Sequence, residues 1–173
     1  MRKVTGIILA LAATLSALPI GAAMAQDAHN ESTVSLKGTF RFTAVKSCTS
    51  NVVSSPLHFY FAGTIDYDGH GTARLTQQGT LVLPDPSLTS FEETAELTYA
   101  MKPNGSFTQE GTFRAVDQSY TLTSAKMIGH MDPHGFVLIF HAASPPEKET
   151  VKTPGGGILE YLCGASGTAV RIR

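Results

Sequence analysis

The sequence predicts an all-β domain, in its simplest form a small antiparallel up-and-down β-barrel of eight or nine strands. Three observations predict it. Five successive runs alternate apolar and polar residues, short turn signals separate several of those runs, and glycines recur on the apolar parity in mid-strand. A β-sandwich is the alternative arrangement of the same strands.

The first run alternates Val34, Leu36, Gly38, Phe40, Phe42 and Ala44 with Ser35, Lys37, Thr39, Arg41 and Thr43. The second reverses parity, with Leu57, Phe59, Phe61, Gly63, Ile65 and Tyr67. Ala73 to Leu83, Phe91 to Met101 and Phe107 to Ala115 continue in the same way. Side chains of a strand point alternately to its two faces, so each run predicts a half-buried strand. Tyr120 to Met131 is β-rich without clean alternation. Phe136 to His141 is a continuous apolar run, which predicts a strand covered on both sides. Ile158 to Cys163 and Thr168 to Ile172 end the chain.

Asp68-Gly69, Asn104-Gly105 and Asp132-Pro133-His134-Gly135 are hairpin signals, and Pro84-Asp85-Pro86 marks a wider bend. Thr49 to Pro56 and Ala143 to Gly157 are expected to be longer loops. A short internal likeness relates Leu75-Thr76-Gln77-Gln78-Gly79-Thr80-Leu81 to Phe107-Thr108-Gln109-Glu110-Gly111-Thr112-Phe113. Gly38, Gly63, Gly79 and Gly111 lie on the inner parity. A strand glycine marks a bulge or a sharp bend, as a sheet curling into a barrel requires.

The first 25 residues have the form of a secretory signal peptide. Arg2 and Lys3 precede an apolar run from Ile7 to Leu18, then helix breakers, then Ala23-Met24-Ala25. That run is shorter than a membrane span needs, and no later segment is apolar for long enough. The expected organisation is a signal peptide over 1–25, a flexible segment over 26–33 and one domain over 34–173. Removing 25 of 173 residues leaves 148, enough for a single core. The leader carries two of 13 basic residues and none of 14 acidic ones, so 11 stand against 14 and the net charge becomes −3. A mildly acidic chain argues against a nucleic-acid partner. The expected location is bacterial periplasm or the extracellular space, with no membrane insertion after cleavage. An outer-membrane barrel is disfavoured because Lys37, Arg41, Asp66, Arg74, Glu92 and Glu110 stand on the outward parity, where a lipid-facing barrel is apolar.

Cys48 and Cys163 are the two cysteines, and in an oxidising compartment a disulfide between them is expected. It would close a loop of about 115 residues, for which the chain-entropy model gives about 5 kcal/mol as an upper figure.

The architecture resembles the lipocalin-like superfamily of small up-and-down barrels. Gly38-Thr39-Phe40 stands on the first strand, where lipocalins carry a glycine-x-tryptophan signature. The chain contains no tryptophan, so the likeness is one of architecture.

Chemistry-bearing motifs are few. His29, His58, His70, His130, His134 and His141 are scattered, and none is spaced for a zinc site, so no metal or cofactor is expected. There is no nucleophile elbow, and Gly155-Gly156-Gly157 lacks the lysine of a phosphate loop. Polar residues on the inner parity are the informative ones: Gln77, Glu93 and Gln109, with Tyr99 beside them. A buried polar group needs a partner, a water or a ligand. These four are the candidate ligand-binding residues. The leading expectation is non-catalytic binding of a small apolar or amphipathic molecule inside the barrel. A protein-interaction module acting through the long loops is the second reading, and a barrel cyclase or isomerase built on Glu93 the third.

Overall fold

A computed structural model describes residues 35–50, 52, 54–83, 87–124 and 126–173. The signal-peptide pattern, the segment 26–33, Val34 and the Pro84-Asp85-Pro86 bend lie outside the described residues.

The strands are β1 (Lys37–Ser50), β2 (Leu57–Asp68), β3 (Thr72–Val82), β4 (Leu88–Met101), β5 (Ser106–Ala115), β6 (Thr121–Thr123), β7 (Met127–Met131), β8 (Val137–Ala142), β9 (Lys148–Lys152) and β10 (Ile158–Arg171). The first five pair antiparallel in sequence order. β5 then pairs with β6 through Thr112 to Arg114 and with β7 through Ser106 to Gln109. β6 pairs with β9 and β7 with β8, and both β9 and β8 lie against β10. Two barrel strands are therefore each broken into two pieces, β6 with β7 and β8 with β9. β10 returns to β1 along a register from Phe40↔Arg171 to Ser50↔Tyr161. The result is a closed, antiparallel, eight-stranded up-and-down barrel with no helix among the described residues. None of the described residues forms a helix long and apolar enough to cross a membrane.

The five alternating runs all face as their parity predicts. Phe40, Phe42, Ile65, Tyr67, Leu75, Leu97 and Phe107 are buried, whereas Lys37, Arg41, Asp66, Arg74, Glu92 and Glu110 are exposed. The outward face also carries Val45, Ile139 and Val170. Two sequence expectations fail. The run Phe136 to His141 is not covered on both sides: Leu138 and Phe140 are buried, but Ile139 is 59% exposed. Its outward positions happen to be apolar, which hides the alternation. The supposed loop Ala143 to Gly157 contains β9, which is held between β6 and β10 despite its charged sequence.

Curvature explains two mid-strand glycines. At Gly63, opposite Gln77, an added Cβ would lie 2.1 Å from the Thr76 carbonyl oxygen. At Gly111 it would lie 2.3 Å from that of Glu96. Neighbouring backbones approach too closely there for any side chain. The space inside Gly79 is instead filled by the Phe91 ring of the adjacent strand.

The register sorts the connections onto two ends. β2–β3, β4–β5 and β7–β8 turn at one end, where β1 begins and β10 finishes, at the Phe40↔Arg171 end of their seam. The three hairpin signals all fall here. In each turn an acid or amide side chain accepts backbone N–H bonds from residues further on. Asp68 accepts from His70 at 2.7 Å and Thr72 at 3.0 Å, Asn104 from Ser106 at 3.0 Å, and Asp132 from Phe136 at 2.7 Å and Val137 at 2.6 Å. Such bonds satisfy the turn's free donors and fix its path. Leu36, fully buried, covers this end, and its carbonyl accepts a 2.7 Å bond from the Tyr99 hydroxyl. Arg171 lies over the Phe40 ring at 5.9 Å. The other end carries the connections after β1, β3, β5 and β9.

Candidate functional site

The half of the barrel beneath those four connections is hollow. A cavity of about 440 Å³ extends inward from this end, within the size range of small-molecule sites. Its wall is mainly aromatic and aliphatic. Phe59 and Phe61 come from consecutive inward positions of β2, Phe91 from β4 and Phe113 from β5, with Leu122 of β6 and Val151 of β9. Phe91 packs edge-on against Phe59 and Phe61, with centroids 6.3 and 5.9 Å away.

Polar groups are set into that wall. The Glu93 carboxylate, 5% exposed, accepts a hydrogen bond from the Tyr120 hydroxyl at 2.6 Å and another from the Gln77 amide. Gln77 and Glu93 are direct cross-strand neighbours, which brings their side chains together on the inner face. Lys46, inward on β1, pairs with the buried Glu149 of β9. Gln109 also lines the cavity, and its oxygen accepts a 2.7 Å bond from the Tyr67 hydroxyl, at the boundary with the packed half.

Of the residues singled out in the sequence, Gln77, Glu93 and Gln109 line the cavity. Gln77 and Gln109 do not pair with each other; each has its own partner on another strand. Tyr99 is not part of the wall. It sits at the closed end, edge-on to Tyr67 at 5.1 Å, with its hydroxyl on the Leu36 carbonyl. Lys46, Tyr120 and Glu149 were missed. Lys46 continues the even parity of Phe40, Phe42 and Ala44, so its position was readable. Tyr120 follows a turn, and Glu149 lies in a run that reads as loop.

Burial raises the Tyr67 and Tyr120 phenols well above the ordinary tyrosine value, and the bond to Glu93 raises Tyr120 further. Both move away from neutrality, the direction opposite to what a tyrosine general base requires.

The Cys48–Cys163 disulfide joins directly opposed residues of β1 and β10, across the barrel's closing seam. Its Cα atoms are 4.1 Å apart and both residues are buried. Among the described residues, Cys48, Cys163 and Glu149 form the one convergent trio of metal-capable side chains, and its two sulfurs are bonded to each other. The described histidines serve elsewhere or stand at the surface. His58 meets the Ser47 hydroxyl at 2.9 Å and His141 the Ala142 carbonyl at 2.7 Å. His29 lies outside the described residues.

No protein-family model matches the chain, and no curated protein does. Among solved structures it is similar to EF1p2_mFAP2b bound to DFHBI, at 14% identity. The match covers 79% of this chain and 94% of that one with a TM-score of 0.39, too distant to speak for a shared ligand.

Proposed function

We propose that this protein is a non-catalytic binding barrel that takes a small apolar or amphipathic molecule into its hollow half. The cavity of about 440 Å³, walled by Phe59, Phe61, Phe91 and Phe113, carries this reading. Apolar walls with a few placed polar groups are how small-molecule sites are commonly lined. The reading includes export: the leader-like N-terminus supports it, and the Cys48–Cys163 bond is compatible with an oxidising compartment. The interaction-module alternative loses support where Ala143 to Gly157 proves to be partly barrel strand.

Nile red, a neutral dye whose emission shifts blue in apolar surroundings, tests the reading. Ala44 lines the cavity opposite Phe61 and Gly167, so Ala44→Phe directs a ring into the space. Saturable, one-to-one dye binding is expected for the parent protein. Loss of that binding is expected in the variant, with cooperative melting retained. Absence of saturable binding by the parent, or equal binding by a folded variant, would overturn the reading.

A further inference from the structure

Glu93 and Glu149 are equally buried, each 5% exposed, but among the described residues only Glu149 has a counter-ion. Glu149 is paired with Lys46. Glu93 has two neutral donors, Gln77 and Tyr120, and among the described residues no lysine, arginine or histidine nitrogen lies within 4.0 Å of it. Both of its oxygens accept hydrogen bonds, and neither meets a positively charged side chain among the described residues. A buried carboxylate is stabilised by an opposite charge beside it, so a cationic group entering the cavity would find an open partner in Glu93.

The rest of the wall has the same bias. Besides the outward-pointing Glu110, its charged residues are Lys46 against Glu93, Asp117 and Glu149, one cation against three carboxylates. Asp117 stands on the same connection as Tyr120, at the rim. Phe91 lies two residues from Glu93 on the same inward face of β4, grouped with Phe59 and Phe61. Aromatic faces attract cations as well as apolar chains. A carboxylate ligand would meet the opposite conditions, because the one lysine in the wall is already engaged by Glu149.

We infer, resting on the reading of the hollow half as a ligand site, that its ligand is an amphipathic cation. Its protonated amine pairs with Glu93, and its apolar body lies against Phe59, Phe61 and Phe91.

Displacement of Nile red by decylamine, decanol and decanoate at neutral pH separates the possibilities. Decylamine is expected to displace the dye at a concentration at least ten-fold below decanol, and decanoate to be the weakest. In Glu93→Gln, which keeps size and one acceptor oxygen, the amine's advantage over decanol should vanish. An amine no better than decanol, or an advantage that survives in a folded Glu93→Gln, overturns the inference and leaves the ligand site standing. If neither Nile red nor decanol binds, the ligand-site reading falls and takes this inference with it. The parent-protein ranking decides the matter even if the variant does not fold.

Discussion

At the closed end of the barrel Phe40 and Tyr67 meet edge to face with centroids 5.7 Å apart, and both are sealed from solvent. At the open end Phe59, Phe61 and Phe91 meet at similar distances, yet each remains partly exposed. The same alternation, on the same strands, produces both. The closed end has side-chain-braced turns, the start of β1 and the finish of β10, with the buried Leu36 just before β1. The open end has the Lys46–Glu149 pair and Glu93 in its wall. Charged groups resist transfer into a dry interior, which opposes collapse of that half onto itself. The close packing is concentrated at one end and the cavity lies at the other.

The sharpest way to break this comparison is to truncate a ring at each end. Phe40→Ala should cost about 3–5 kcal/mol, the cost of emptying a fully packed site. Phe61→Ala removes a partly exposed ring and should cost less, about 1–2 kcal/mol. Between them lies the disulfide: Cys48→Ala with Cys163→Ala should cost about 2–4 kcal/mol, because the bond closes a separation of 115 residues. Urea unfolding of the three proteins gives the ranking, and equal costs for the two rings would erase the distinction between the ends.

The smallest effect is expected from acid. Hydrogen bonds from Thr72 and His70 hold the Asp68 carboxyl well below its ordinary value of 3.8, and bonds from Val137 and Phe136 lower Asp132. A carboxyl lowered in the folded state contributes stability that is whole above its unfolded value and is lost as pH falls towards the folded one. The closed-end turns should therefore loosen below about pH 4, and Asp68→Asn should flatten part of that acid slope. Melting temperature followed from pH 6 to pH 2 measures it. An unchanged slope in the variant would remove Asp68 from the account.

Much of the fold was legible because period-two alternation reports which face of a strand is inward. It does not report depth along the barrel axis. Phe40 and Phe61 look alike in sequence, and only strand register puts one in the packed half and the other on the cavity wall. Breaks within a barrel strand were equally opaque. β6 and β9 pair over three residues each, Thr121 to Thr123 with Thr150 to Lys152, and the single apolar pair Leu122↔Val151 is too short to show a rhythm. For the site, Gln77, Glu93 and Gln109 were visible as polar exceptions on an apolar face. Tyr99 obeyed the same parity yet belongs to the closed end, and Glu149 was hidden among exposed charges.

The central claim is tested most directly by backbone amide NMR of the protein titrated with decanol. Shifts should concentrate at Phe59, Phe61, Phe91, Phe113 and Leu122, with Leu36, Phe40, Leu75 and Leu138 unmoved. Shifts centred on the second group, or none at saturating decanol, would contradict a barrel packed at one end and open to ligand at the other.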